Sequence, residues 1–251
     1  MEIDNDLNFI TEAAHARHKL AETFYQNNIN RLNSIEAKIN RNIYHLIRIV
    51  EIINESEKKC PVDCFQLIDR AVKLNKTCLG LIKQLNFVEA AILSRSLIEF
   101  CTTSIAIYKN KKTLEEFSAN EKFNSTQTIS IAKKYIPEVG KIWGEISNFI
   151  IHVNPEMHGA KKHINDDGEH VMTQLSFTCL ETIIPEHSEA LLDHTELMTY
   201  LILYTIEIIC LYKVEYKGIG GYAYPNKKTV LLGDSGKESF QRLYNKIYNV
   251  S

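Results

Sequence analysis

The chain has 251 residues, of which 45% are hydrophobic and 24% are charged, and its formal net charge is −2. This composition excludes intrinsic disorder as the general state, and 10 glycines with 5 prolines exclude collagen-like and mucin-like chains. So few turn-forming residues favour long helices around a real core over a β fold with many turns. The near-neutral charge gives no whole-molecule preference for nucleic acid.

The first predicted element is a long helix over residues 3–53. Apolar residues recur there at three- and four-residue spacing, close to a heptad repeat. The cluster Asn27, Asn28 and Asn30 coincides with a shift of register and predicts a break. An unbroken helix would be roughly 75 Å long, which is too long for one compact domain to bury. We therefore predict that residues 1–54 form a helical arm or hairpin that mediates oligomerisation, the alternative being two ordinary helices folded on the core.

Residues 55–217 are predicted to form a helical bundle. Asp63 is a suitable N-cap for a helix that reaches about Asn86. The helices expected after it are Phe87 to about Asn110, Lys112 to about Phe123, Ser125–Tyr135 and Pro137–His152. The fold class predicted from these patterns is a mostly α multi-helix bundle.

The bundle is expected to contain one small inserted β-hairpin at about residues 158–180. Turn-forming residues fill 154–168, and apolar residues alternate with polar ones from Val171 to Cys179, which is the period of a strand. Pro185 is then predicted to open a long helix to about Lys217.

The C-terminal part, residues 218–251, is predicted to be a glycine-rich loop followed by one helix. Gly218, Gly220 and Gly221 end the preceding helix, and Ser235 with Glu238 forms a capping box for a helix that ends at Tyr248.

The chain is predicted to be cytoplasmic and to have no membrane span. Its first residues lack the features of a signal peptide, and the apolar run Leu197–Tyr212 is short and interrupted by Glu207. Six scattered cysteines are best interpreted as reduced, mostly buried thiols. Neither the C-x3-C pair nor the histidines between 152 and 170 have the spacing of a metal site, so no metal or cofactor is predicted.

Arg95 and Glu99 are the charged pair that the sequence singles out. They stand four residues apart on one face of a helix that is otherwise almost entirely apolar. A charge within a core is costly unless it is paired, so the two residues either form a structural ion pair or hold a guanidinium for an anion.

A second candidate cluster ends a later helix and comprises Ser147, Asn148 and His152. Asn148 and His152 share a helical face, and a helix C-terminus favours the protonated imidazole and raises its pKa. These residues are predicted to provide acid-base and hydrogen-bonding groups.

Two stretches resemble a known group of proteins. Residues 89–99 contain the pattern R-x-L-x-E, and residues 147–152 contain S-x4-H. Together they resemble an uncharacterised bacterial all-helical family that shares such a helix and such a later helix end. In outline this family is similar to the HEPN helical domains, many of which are metal-independent ribonucleases, toxins or antiviral effectors. The resemblance covers about residues 63–215.

The resemblance implies a cleft that acts on RNA or nucleotides without a metal. His152 would be the general acid or base, Arg95 would stabilise charge on the phosphate, and Glu99 would hold Arg95. Ser147 or Asn148 would orient the substrate. HEPN nucleases carry their Arg and His close together on one segment, whereas Arg95 has no nearby His.

Two other classes of function remain open from the sequence. The first is a non-enzymatic oligomeric scaffold or regulatory subunit assembled through the N-terminal arm, with the Arg95–Glu99 pair purely structural. The second is a helical sensor that binds a small anionic ligand at Arg95. Expected partners are therefore RNA or a nucleotide, and a second copy or another protein through the arm.

Overall fold

The computed structural model confirms a mostly helical bundle in the part of the chain that it describes. That part comprises residues 2–55, 62–119, 124–147, 162–164, 170–172, 177–213 and 236–250. Side chains are described for a smaller set, which is 11–12, 14–47, 62–119, 124–147, 189–209 and 236–250. Its helices are α1 (Glu2–Glu55), α2 (Val62–Lys83), α3 (Phe87–Lys109), α4 (Lys111–Ser118), α5 (Ser125–Ala132), α6 (Val139–Ile146), α7 (Phe177–Lys213) and α8 (Gly236–Tyr248).

Helix α1 is continuous over 54 residues, so the predicted break at the asparagine cluster is wrong. The Asn28 side chain does not interrupt the helix, because its Nδ2 donates to the Phe24 carbonyl oxygen at 2.9 Å, one turn back. At 1.5 Å per residue the helix is about 80 Å long.

The middle of α1 packs within the bundle, although the whole of residues 1–54 was predicted to be an arm. Phe24, Leu32, Ile35, Ile39 and Leu46 belong to the same buried cluster as residues of α2, α3 and α7. Over these residues α1 therefore shares one core with the bundle. The heptad-like pattern indicated a packed face correctly, but over these residues that face packs on the chain's own helices.

Helices α2, α3 and α7 form the centre of the bundle. Fully buried side chains along α3 and α7 include Leu97, Ile98, Ile105, Leu201 and Ile202. Burying each such side chain contributes about 1.5–3 kcal/mol of hydrophobic free energy. By length and composition α3 is long and apolar enough to cross a membrane, but most of it is buried by other helices of the chain.

A tight corner joins α2 to α3 and sets the angle between them. The backbone N–H of Asn86 donates to the Leu81 carbonyl at 2.8 Å, and that of Leu85 donates to the Ile82 carbonyl at 3.0 Å. This is the Schellman pattern, and it places Leu85 at a φ of 60°, a conformation that favours glycine. The buried Leu85 side chain offsets this cost.

The strand region differs in part from the prediction. Lys162–Ile164 and His170–Met172 pair as two short antiparallel strands, β1 and β2. The predicted strand does not extend to Cys179, because α7 begins at Phe177. The residues that flank β1 and β2 lie outside the described part, so an inserted hairpin over 158–180 stays a prediction.

Pro185 does not open α7 as predicted; it is the ninth residue of the helix. An interior proline removes one backbone hydrogen bond and costs about 3 kcal/mol. Because of this cost, proline is usually found in the first turn of a helix. An interior proline is nevertheless tolerated when the packing of a long helix offsets the cost. Helix α7 has 37 residues, and its described side chains from Leu192 to Ile209 are almost all buried.

An ion-pair network attaches α1 and α8 to α7. Arg31 of α1 contacts both Asp193 and Glu196 of α7, Lys38 of α1 contacts Glu196, and Lys246 of α8 lies 2.6 Å from Asp193. The Asp193 side chain is only 6% exposed. Its hydrogen bond to Lys246 is the main reason that the pKa of this lysine is raised. We call this five-residue set the α7 charge cluster.

Replacing Asp193 by Asn is expected to lower the free energy of unfolding by about 2 kcal/mol, because Arg31 and Lys246 lose a compensating charge that is taken out of water. The matched control is Asp69→Asn. Asp69 pairs with Lys73 at 2.5 Å but is 45% exposed, so its loss should cost less than about 0.5 kcal/mol. Urea denaturation followed by circular dichroism measures the free energy of unfolding of both variants. Equal losses in the two variants would contradict a stabilising role of the ion-pair network.

The N-terminus of α8 is held by a carboxylate of α7. Glu207 accepts a hydrogen bond from the Gly236 backbone N–H and is buried between the two helices. Gly236 allows this approach, because a Cβ added there would lie 2.6 Å from Glu207 Oε1 and 2.9 Å from the Tyr204 backbone nitrogen. The predicted capping residue Ser235 lies outside the described residues.

Burial raises the pKa of Glu207 from 4.5 to about 7. The backbone N–H groups of Gly236 and Lys237 oppose this shift, whereas Glu238 adds to it. In the unfolded chain the carboxyl ionises near pH 4.5, but in the folded chain it keeps its proton until about pH 7. The folded state therefore loses up to ~3 kcal/mol of relative stability as pH rises through this window.

Glu207→Gln is expected to remove this pH dependence while leaving a carbonyl oxygen to accept from Gly236. The variant should gain up to ~3 kcal/mol relative to the wild type between pH 4.5 and pH 7.5. Urea midpoints at several pH values measure the difference. A constant difference across the window would show that Glu207 ionises normally in the folded chain.

Candidate anion site on helices α3 and α6

Arg95 and Glu99 form the predicted pair on α3. Arg95 Nε lies 3.3 Å from Glu99 Oε1, and the two side chains are 29% and 28% exposed. They are therefore at the edge of the bundle and not sealed within its core. In this partly solvated position the ion pair by itself contributes little to stability.

Trp143 of α6 completes the cluster, and the sequence analysis missed it. Its Nε1 donates to Glu99 Oε1 at 3.1 Å, while the Arg95 guanidinium carbon lies 5.2 Å from the centroid of its ring. The indole therefore contacts both members of the pair, through a hydrogen bond to the acid and a cation–π contact with the base. One available signal was that Trp143 is the chain's single tryptophan, placed a turn before Ser147.

Ser147 lies one turn after Trp143 at the end of α6. Its Oγ donates to the Trp143 carbonyl oxygen at 2.7 Å, so the hydroxyl proton is used within the helix while the oxygen keeps acceptor capacity. The structure thus brings Arg95, Glu99 and Ser147 to the same pair of helices. Asn148 and His152 follow in the chain but lie outside the described residues.

The Arg95 guanidinium keeps hydrogen-bonding capacity. Its Nε is buried and makes no hydrogen bond with the residues that the structure describes, and no described residue accepts from its terminal nitrogens. A guanidinium has five donors in a planar fork that matches a phosphate or carboxylate. Glu99 and the Trp143 ring fix this fork in place, so the cluster can receive an anion with little reorganisation.

Arg41 and His45, which are separated by three residues on α1, do not form a comparable site. Arg41 is exposed, whereas His45 is buried. Burial, together with the charge of the nearby Arg41, lowers the pKa of His45 to about 4. A neutral imidazole inside the core fits a structural role better than acid-base catalysis near neutral pH.

The described cysteine thiols lie within the core of the bundle. Cys64, Cys78 and Cys101 are buried free thiols, and burial raises the pKa of Cys78 to about 11 and that of Cys101 to about 12. Such thiols are inert at neutral pH. Within the described ranges no group of three or more His, Cys, Asp or Glu side chains is arranged to hold a metal ion.

No family model, curated protein or solved structure matches this chain. The resemblance to HEPN domains therefore rests on the sequence patterns alone, and the chemistry of the site has to be argued from its own geometry.

Glu99→Ala is expected to shift the emission of Trp143 to longer wavelength, because the indole N–H loses its carboxylate acceptor and turns to water. The free energy of unfolding should fall by about 1–2 kcal/mol. The matched control is Glu89→Ala, an exposed acid on the same helix, which should leave the emission unchanged. An unshifted spectrum in the Glu99 variant would contradict the described contact.

Proposed function

We propose that this chain is a HEPN-like helical protein that binds RNA or nucleotide phosphate at the Arg95 site and cleaves the phosphodiester without a metal. The setting most consistent with the resemblance is a cytoplasmic toxin or antiviral defence effector. The observation that supports the proposal is the Arg95 guanidinium, held by Glu99 and Trp143 while its terminal nitrogens have no hydrogen bond among the described residues.

The division of roles follows from the chemistry of each group. Arg95 would stabilise the charge that develops on the phosphate, and Glu99 would keep the guanidinium in position. His152 would act as general acid or base, moving a proton to or from the reacting oxygen. Ser147 or Asn148 would orient the substrate by hydrogen bonds. The inserted hairpin over 158–180 follows His152 and is part of this proposal.

Cleavage of RNA in the presence of a chelator tests the proposal. Arg95→Ala and His152→Ala are each expected to reduce the rate by at least about 100-fold, since one removes phosphate stabilisation and the other removes proton transfer. The matched control for Arg95 is Arg70→Ala, which changes an exposed arginine elsewhere in the bundle. This variant should cleave at the wild-type rate.

The outcomes separate enzyme from sensor. Equal cleavage by wild type, Arg95→Ala and His152→Ala would reject catalysis at this site. If nothing is cleaved, titration of RNA or a nucleotide against Trp143 emission distinguishes binding from inactivity. An Arg95-dependent change in emission without cleavage would favour the sensor of a small anion.

A second candidate function is an oligomeric scaffold assembled through α1. The observation that favours it is the N-terminal part of this helix, where every described side chain from residue 11 to residue 19 is exposed. This candidate does not exclude the first, since the arm and the Arg95 site use different residues.

A further inference from the structure

Arg17 joins α1 to the bundle close to the start of the packed part of this helix. The Arg17 guanidinium donates to the Asn86 side-chain oxygen at the corner between α2 and α3. From Leu20 onward α1 packs against the core. Residues 2–16 precede this point and continue as helix for about 22 Å. We call residues 2–19 the α1 arm.

The arm carries the same apolar spacing as the packed part of the helix. Positions 3, 7, 10 and 14 are Ile, Leu, Ile and Ala, and the same heptad series continues through Arg17 to Ala21 and Phe24. Phe24 is buried in the core, and Ala21 packs against it. The apolar spacing of the face that α1 packs on its own bundle therefore extends through the arm, with Arg17 as the charged member of the series.

An isolated helix of this length is marginal in water, because nucleation is costly and only packing of an apolar face stabilises it. The arm also exposes its described residues on every side. A helical arm with apolar residues at heptad spacing therefore fits a chain whose arm is paired with another helix.

The charges of the arm are segregated along its length. Glu2, Asp4, Asp6 and Glu12 occupy its first part, and His15, Arg17, His18 and Lys19 occupy its last part. A parallel pair of such arms would place acid beside acid and base beside base. An antiparallel pair places the acidic part of each arm beside the basic part of the other, which is the favourable arrangement.

We propose that the α1 arm pairs in antiparallel orientation with the arm of a second copy of this chain. The pairing is isologous, since the same surface serves both copies and a two-fold axis crosses it. This inference rests on the scaffold candidate for its biological role, but it specifies the partner and the orientation.

The mass of the full chain in solution, measured by light scattering over a range of concentrations, is the first test. The wild type should form a dimer. Leu7→Glu with Ile10→Glu should weaken the dimer at least about 100-fold, because two charges replace the apolar seam. The matched control is Asn8→Glu with Phe9→Glu, which places the same two charges on the opposite face of the helix and should keep the dimer. Unchanged Trp143 emission shows that the bundle of each variant is intact.

The second test fixes the orientation. Asp4→Lys with Asp6→Lys makes an antiparallel pair repulsive and should raise the dissociation constant about tenfold. Adding His15→Glu and Lys19→Glu reverses both parts of the arm and should restore the dimer to within about threefold of the wild type. This rescue should be strongest at low salt.

Each result supports or overturns one statement. A monomeric wild type overturns both the pairing and the scaffold candidate. A dimer that the Leu7 and Ile10 substitutions leave intact overturns the pairing but keeps the scaffold, since another surface then holds the copies together. A dimer that depends on the seam but not on the charge reversal overturns the antiparallel orientation. RNA cleavage is measured separately, so none of these results is confused with the enzymatic proposal.

Discussion

Two acidic residues on one turn of α7 determine where the long helix α1 lies. Apolar residues alone would let a 54-residue helix slide or rotate against the bundle, because its apolar spacing is nearly uniform. Asp193 and Glu196 oppose this, since in another register Glu196 would lose both of its cationic partners on α1 and Asp193 would keep only Lys246 of α8. Deeper in the interface, Asn42 and Asn75 donate to Thr199 from two different helices. The polar contacts therefore select the register, while the apolar contacts supply most of the stability.

The same principle explains the attachment of α8. Lys246 joins this helix to the α7 charge cluster, and Glu207 holds its first backbone N–H. A short helix that follows a long connecting segment has few local contacts of its own, so polar groups on α7 fix its position. The cost is a carboxyl group in an apolar environment, and its raised pKa is the measure of that cost.

The sequence predicted where the helices lie in the chain better than it predicted their continuity and how they pack together. Apolar periodicity and capping residues located α2, α3 and α8 within a few residues, because they reflect the face that each helix buries and the point where it begins. It could not show that α1 is continuous, since the hydrogen bond from Asn28 to its own helix is a local choice that composition does not reveal. The predicted start of α7 at Pro185 was wrong for a related reason. The free-energy cost of an interior proline is real, but it is smaller than the free energy gained when a long helix packs. The antiparallel strands β1 and β2 lie within residues 158–180, where the hairpin was predicted. The last residues of that range belong to α7, which begins at Phe177.

The candidate site also shows that sequence patterns predict contacts within one helix but not contacts between helices. Spacing on one helix placed Arg95 beside Glu99, because residues four apart on a helix are neighbours whatever the rest of the fold does. Trp143 stands 44 residues after Glu99, so only tertiary packing brings the indole to the pair. Segment-to-segment packing of this kind cannot be read from one sequence. Trp143 bonds to Glu99 through its indole and to Ser147 through its backbone carbonyl oxygen, a link that neither the spacing nor the resemblance indicated.

The arm and the candidate site are also joined by a single rigid element. Arg17, at the base of the arm, contacts Asn86, the residue before α3, and Arg95 lies nine residues further along, about 13 Å on the same helix. A two-fold pairing of arms would therefore hold two copies of the Arg95 site at a fixed separation and orientation. An extended anion such as RNA could contact both sites at once, and the second contact would then benefit from a high effective concentration. A free mononucleotide could not, so assembly through the arm would favour long polyanions over small ones without any change in the site itself.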